Sequence, residues 1–469
     1  MSEKPKKIGL IALTALIISS SIGSGIFAIP TDMASAAAPG SALVAWLIAG
    51  LGVLALCLSI VNIERKSPKL SGIVSYAEEG FGPFSGFISG WGYWLSAWLG
   101  NVAFATMMMK TLGRFFPMFG EGNNIVSISV ASVILWCLCF IVNRGIEGAA
   151  SLNTIITLCK LVPLALYIIL AILFFDFNTF MSNFWGTASG GFEFAKVMNQ
   201  VQNSMTVIMW VFVGVEGAAM MSDRAQSKSI IEKSTVFGLL GLLVIYVSAS
   251  ILPYGIMSQE QVAALHNPAI GYVLVNKVGN WFPNLVNIAL IISIFGSWLS
   301  WTMLPVETTL VMANRQLLPQ KFGKLNNAGV PTFSLVFMTG LTQIFMFTLL
   351  FTNQAYQFAY SLCTAAIFIS WLYVTLYQTK ISVKLGELKQ MSIGIIGSIF
   401  YLWAIWASSI DYFLLCLIVY LLGIVFYIQA RKEKGVLKVF SSKEKILLVL
   451  VVGGAVVALF RLFTGQISI

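Results

Sequence analysis

Only one histidine, His266, and a charged fraction of 10% are found in this 469-residue sequence. Few side chains are therefore available for acid–base or metal chemistry. A lone histidine excludes a histidine-based metal site or catalytic triad. No P-loop, HExxH or GxSxG pattern occurs. Gly23-Ser24-Gly25 does not follow a strand, which rules out a dinucleotide fingerprint. An enzyme needs convergent acid, base and nucleophile groups, so no enzymatic activity, metal or cofactor is expected. The six cysteines, Cys57, Cys137, Cys139, Cys159, Cys363 and Cys416, all lie in apolar stretches. The Cys137/Cys139 spacing fits no usual metal or redox motif, so they read as small core residues. Long polar stretches are missing too, so the chain reads as one membrane domain over 1–469.

What the sequence has in abundance is apolar side chains, at 58%. A soluble domain carries about 25% charged residues, so this surface cannot all face water. Apolar runs of about 20 residues, enough to cross ~30 Å of hydrocarbon, recur from end to end. Read with Gly, Pro and charge as punctuation, they predict spans at 8–30, 41–63, 84–114, 124–143, 151–174, 201–222, 234–256, 282–312, 332–352, 355–378, 392–408, 411–430 and 446–463. The expected fold class is an all-α integral membrane protein with 12–13 transmembrane helices. The spans at 84–114 and 282–312 exceed a bilayer and must tilt or include interfacial turns. Met1–Lys7 is short and basic ahead of an apolar run, as in a signal peptide. The run to Pro30 is too long for a signal core and lacks a small-residue cleavage site, so it reads as the first span.

The net charge is +10, yet its placement argues against nucleic acid. With the N-terminus inside, 22 of the 28 Lys and Arg fall in cytoplasmic loops. The exceptions are Lys110, Arg114, Lys160, Lys196, Lys277 and Arg461. This bias follows the positive-inside rule and predicts a cytoplasmic N-terminus.

Several intramembrane features carry chemistry. In the first span, Ser19-Ser20-Ser21 runs into Gly23-Ser24-Gly25. Glycine weakens a helix by about 1 kcal/mol against alanine. A break there would free N–H groups at a positive helix end, suited to a substrate carboxylate. A small-residue packing face is the alternative. In the sixth span, Trp210-Val211-Phe212-Val213-Gly214-Val215-Glu216-Gly217 places glycines beside a carboxylate. An ionised group there costs at least ~2.5 kcal/mol, so Glu216 is either functional or a structural partner. Breaks at matching places in two five-helix halves point to an inverted-repeat transporter. Lys160, mid-way along the fifth span, reads as a coupling group or a tether to the first helix. In the eighth span, Phe295-Gly296-Ser297-Trp298-Leu299-Ser300-Trp301 precedes Pro305 and Glu307. An aromatic and a carboxylate suit a cation, although Trp301 and Glu307 do not share one helix face. In the third span, Asn101 ends Gly92-Tyr93-Trp94-Leu95-Ser96-Ala97-Trp98-Leu99-Gly100-Asn101 and offers an amide to a substrate or a helix.

These segments, in this order and over nearly the whole chain, resemble the amino acid–polyamine–organocation superfamily. The resemblance is closest to its basic amino acid/polyamine antiporters, including arginine/ornithine exchangers. It implies a leucine-transporter-like 5+5 inverted repeat, with 8–378 as the ten-helix core and 392–463 as additional helices. The unwound first and sixth helices of the family hold the substrate's carboxylate and amine, which implicates Ser21, Gly23, Ser24, Gly25 and Val213. The family's aromatic that stacks on a cationic side chain corresponds to Trp301, and Asn101 matches an asparagine that contacts substrate. Trp210 corresponds to the outward gate, and Glu216, with Tyr93 as bonding partner, to the inner gate. Arginine/agmatine exchangers carry a serine and a Pro-Tyr pair in the tenth span. The matching positions here are Cys363 and Ser370-Trp371, so the side-chain pocket differs and Trp371 becomes the candidate outer gate. Lys160 resembles a lysine that stands in for a sodium ion in proton-coupled relatives. Glu307 resembles an acidic residue of arginine/ornithine exchangers.

The implied activity is exchange of a cationic amino acid for its metabolic product by alternating access, with arginine/ornithine as the leading pair. Histidine/histamine, lysine/cadaverine and agmatine/putrescine exchange stay open, as does a proton-coupled amino acid symporter. A non-transporting nutrient sensor is the reading from a different class. The implied setting is a bacterial cytoplasmic (inner) membrane. The expected partners are cationic amino acids or amines and the bilayer, with a homodimer as a further candidate.

Overall fold

The first break predicted in the sequence is a break in the structure. In this computed structural model Ser21 is helical, Ile22–Ser24 are not, and a new helix α1 (Gly25–Ala36) begins at Gly25. The structure describes residues 9–11, 14, 18, 21–67, 70, 72–145, 149–216, 228–352 and 354–467, the side chains of 149–159, 228 and 231 aside. Most of 8–20, Ser19 and Ser20, Gly217 with the rest of the sixth predicted span, Lys4, Lys6, Lys7, Lys69, Arg224 and the Cys159 side chain lie outside the described residues.

Among the described residues the regular structure is helical. α2 (Pro39–Lys66) follows α1, then α3 (Gly72–Phe81), α4 (Pro83–Leu112), α5 (Ile125–Asn143), α6 (Ala149–Leu173) and α7 (Phe194–Phe212). The chain continues through α8 (Lys228–Ile251), α9 (Trp281–Asn314), α10 (Thr332–Thr348), α11 (Ala355–Leu385), α12 (Leu388–Ala407), α13 (Ile410–Glu433) and α14 (Ser442–Phe463). Nine of these, namely α2, α5 and α8 to α14, are long and apolar enough to cross a membrane. The protein is a multi-pass membrane protein.

Local chemistry sets the helix boundaries. Pro39 and Pro83 stand in the first turns of α2 and α4, where no N–H is needed. Gly82 takes φ +100°, which turns the chain sharply between α3 and α4. The Asn124 side chain caps α5 through the Ser127 N–H at 2.9 Å. Ser441 and Glu444 form a capping box at the start of α14. The two longest predicted spans become continuous helices of 30 and 34 residues. α3, at ten residues, is too short to cross a bilayer and has no hydropathy signature, and the same holds for the one-turn helices Gln259–Ala263 and Ala269–Val273.

The chain divides into two compact units. The first comprises Met1–Lys69, Leu152–Ile294 and Ile381–Phe400; the second comprises Leu70–Ser151, Phe295–Lys380 and Tyr401–Ile469. Within the first, α1 packs on α7 and α8, and its C-terminal end is clamped by residues 254–262. Gln259 Nε2 donates to Ala34 O at 2.9 Å, Tyr254 Oη to Ala37 O at 2.7 Å and Thr31 Oγ1 to Val262 O at 3.3 Å. Within the second, α4 is buried along nearly its whole length. There α3, α10 and α13 pack against it, and α14 pairs with α13.

The cysteine expectation needs one correction. Cys57, Cys139, Cys363 and Cys416 are buried, whereas Cys137 is exposed. Residues two apart on a helix point to nearly opposite sides, so Cys137 and Cys139 cannot share one environment.

Candidate functional site

In the first unit, the break ahead of α1 creates a helix start with no cap. Ser24 occupies the cap position, but its side chain makes no capping bond. Its hydroxyl is buried and has no hydrogen-bond partner among the described residues. A buried, uncapped helix start presents free N–H groups and partial positive charge, and this suits a carboxylate. On the other side of the break, the freed carbonyl of Ser21 is satisfied by Tyr246 Oη at 3.0 Å. Trp46 and Phe212 pack around the same Tyr246 ring. No intramembrane signal in the sequence marked Tyr246. We expect Tyr246→Phe to lower thermal stability by about 1–3 kcal/mol, because it strands the Ser21 carbonyl. Thermal melting of the purified protein, monitored by tryptophan fluorescence, would check this.

The second break matches the first. Helix α7 ends at Phe212, Val213 is extended, and Gly214 takes φ +104°. The α7 carbonyls at this end carry partial negative charge, suited to a substrate ammonium. Glu216 is buried just past the break and accepts a hydrogen bond from the Gly214 N–H at 3.3 Å. The two helix ends approach closely. A Cβ added at Gly25 would stand 2.6 Å from Trp210 Nε1 and 2.9 Å from Val211 Cγ1. The structure therefore brings Ser21, Gly23, Ser24 and Gly25 of the first break near Trp210 of the second. Lys160 is buried in the same unit.

The second unit holds a separate cluster. Trp301 is half-buried and meets Phe104 edge-on at 5.3 Å between ring centres. Its ring lies against Gly100, where a Cβ would stand 2.5 Å from the indole. Asn101 Nδ2 donates to Trp301 O at 3.1 Å, and the buried Asn101 Oδ1 has no partner among the described residues. Cys363 Sγ lies 3.3 Å from Ser96 Oγ. Trp301, Asn101 and Cys363 thus belong together, with Ser96, Gly100 and Phe104 as members the sequence reading did not single out. A glycine one residue before Asn101, on a helix rich in tryptophan, was the available signal for Gly100.

The remaining predicted residues of the second unit differ in burial. Glu307 is exposed, while Trp301 is half-buried; six residues turn a helix by about 240° net, which separates their faces. Trp371 is fully buried in an aromatic group with Phe368 and Tyr401. Tyr93 is buried in α4.

Comparison with known proteins decides the family. The family model described as amino acid permease matches residues 8–457. The chain is a member of the amino acid permease family. This permease is 51% identical to an arginine/ornithine antiporter of Latilactobacillus sakei, across 100% of this chain and 99% of the relative. It is 41% identical to an arginine/ornithine antiporter of Lactococcus lactis subsp. cremoris, across 92% of this chain and 86% of that one. Among solved structures, a substrate-bound, outward-open sodium-coupled sialic acid symporter covers 86% of the permease, with 89% of that chain matched, at a TM-score of 0.53 and 13% identity. That likeness gives the fold. The permease is an all-α membrane protein of the leucine-transporter type, and it is a transporter rather than an enzyme.

Proposed function

We propose that this permease exchanges arginine for ornithine across a bacterial cytoplasmic membrane by alternating access. The observation that carries the reading is full-length similarity to relatives named arginine/ornithine antiporters, at 51% identity for the Latilactobacillus sakei protein. The geometry of the first unit supports it. Arginine and ornithine share an α-carboxylate and an α-ammonium. A bare helix start at Gly25, with the Ser24 hydroxyl, suits the first group. The carbonyl end of α7 at Phe212–Val213 suits the second. Taken by itself, the second unit has in Trp301 a ring face suited to a cationic group, with Asn101 and Cys363 in the same cluster.

In this proposal Trp210, Trp371, Tyr93 and Glu216 act in gating, and Lys160 and Glu307 in coupling. The chain acts as one transporter domain with its N-terminus in the cytoplasm. Exchange follows in this proposal if the empty carrier crosses the membrane poorly, so that a bound amino acid is needed for each half-turn. A homodimer is compatible with the mechanism and is not required by it.

The test uses proteoliposomes. Vesicles loaded with unlabelled ornithine should take up labelled arginine at least about tenfold faster than empty vesicles, the ratio set by a barrier to return of the empty carrier ~1.4 kcal/mol higher than that of the loaded one. Equal uptake into empty vesicles would sink the exchange reading. Uptake of labelled histidine or agmatine in preference to arginine would move the substrate assignment.

A further inference from the structure

Within the first unit, a groove of about 440 Å³ opens among the ends of α2, α8 and α12. Among the residues that line it, Arg65, Lys233 and Lys389 lie nearer the helix ends than Leu58, Val236, Phe237 and Ile393, and Glu232 stands beside Arg65. On α8 and α12 the apolar residue lies three or four positions beyond the cation. On α2, which enters the groove from the opposite chain direction, Leu58 lies seven positions before Arg65. Every helix therefore places its cation nearer its end and its apolar residue roughly 5–10 Å further along the axis. This is the layering of a phospholipid at a membrane surface, with the charged headgroup outside and the acyl chain within.

The charge at these helix ends favours an anion. Arg65 pairs with Glu232 at 3.1 Å and also donates to Asn62 Oδ1 at 3.3 Å, so its position is fixed and its charge largely answered. Lys233 and Lys389 are both exposed, and neither has an ion pair among the described residues. Lys389 also lies in the first turn of α12, where the helix dipole adds to the attraction for negative charge. Lys66, just past Arg65, pairs with Glu387, just before α12, and ties two walls of the groove together. The exposed Phe237 leaves the floor open to hydrocarbon. A free phosphate would use the two lysines but would leave this floor uncovered.

We propose that the groove among α2, α8 and α12 is a binding site for an anionic glycerophospholipid, its phosphate between Lys233 and Lys389 and an acyl chain over Val236, Phe237 and Ile393. Basic clefts between membrane helices at the cytoplasmic side are suited to such headgroups. The site is independent of the transported substrate.

The test is native mass spectrometry of the full chain in detergent, titrated with phosphatidylglycerol, phosphatidylcholine or glycerol 3-phosphate. Wild type should retain phosphatidylglycerol well above phosphatidylcholine. A Lys233→Gln/Lys389→Gln variant should lose phosphatidylglycerol occupancy by about tenfold or more. A Lys434→Gln/Lys438→Gln control, with the same loss of charge elsewhere, should keep it. Phe237→Ser should weaken phosphatidylglycerol without changing any glycerol 3-phosphate binding. Equal occupancy in the groove and control variants would overturn the site. So would displacement of the lipid by equimolar glycerol 3-phosphate, which would make the ligand a free phosphate group. The comparison of phosphatidylglycerol with phosphatidylcholine on wild type needs no variant, and equal retention of the two would by itself refute the proposal.

Discussion

Gly25→Ala should slow arginine/ornithine exchange by roughly tenfold, and Gly25→Val by ~100-fold, with both proteins still inserted and monodisperse. The cause is steric. A methyl at Gly25 would meet Trp210 Nε1 at 2.6 Å, Trp210 Cδ1 at 2.7 Å and Val211 Cγ1 at 2.9 Å. Trp210 is buried, so its ring cannot simply swing into open space. Overpacking of this kind costs about 1–3 kcal/mol, which corresponds to a factor of roughly 5 to 150. The strain falls on the first turn of α1, whose free N–H groups are the proposed carboxylate site, and on the last turn of α7. Both would have to separate to admit the methyl. A second substitution that shortens the obstructing side chain, Trp210→Phe, should recover part of the activity lost in Gly25→Ala. Labelled arginine uptake into ornithine-loaded vesicles measures all three. Undiminished exchange in Gly25→Val would show that the close approach of the two helix ends has no functional weight.

The second large effect concerns Trp301. Trp301→Ala should weaken arginine binding by about thirtyfold, the value of a desolvated cation–π contact near 2 kcal/mol. Trp301→Phe should retain most of the affinity, because it keeps an aromatic face. Gly100→Ala should also weaken binding, although glycine contributes no side chain of its own. Its added methyl would stand 2.5 Å from the indole and push the ring off α4. Scintillation proximity binding of labelled arginine to detergent-solubilised protein separates these outcomes. Full affinity in Trp301→Ala would remove the ring from recognition, and full affinity in Gly100→Ala would show that the ring's position is free.

Much of this was legible in the sequence because bilayers impose simple rules. The limits of the apolar runs are set by hydrocarbon thickness, and most of the predicted spans coincide with helices, nine of them long and apolar enough to cross a membrane, while the first and sixth lie partly outside the described residues. The Gly23–Gly25 and Val213–Glu216 breaks were visible because glycine and charge are costly inside a membrane helix. What the sequence could not reveal depends on side chains that meet from distant positions. Tyr246 reaches the Ser21 carbonyl across 225 positions, and nothing in its own segment marks it. Gly100 matters only because Trp301, two hundred positions on, lies across it. Glu307 and Trp371 carried signals by type, yet one is exposed and the other fully buried, because helical phase and packing partners decide where a side chain points. The short helix α3 left no such signal, because hydropathy marks a span by its length.

The clamp on the C-terminal end of α1 has a consequence for how this protein can change over evolutionary time. Gln259, Tyr254 and Thr31 each bond a main-chain carbonyl rather than a side chain. The acceptors at Ala34, Ala37 and Val262 are carbonyls that every residue carries, so at these buried positions packing, not hydrogen bonding, limits what can replace them. The donors have no such freedom, since no replacement at Ala34 can restore a bond lost with Gln259. Paired substitutions need not record these contacts, and a search for correlated positions among relatives would pass over the fastening that holds α1 in register.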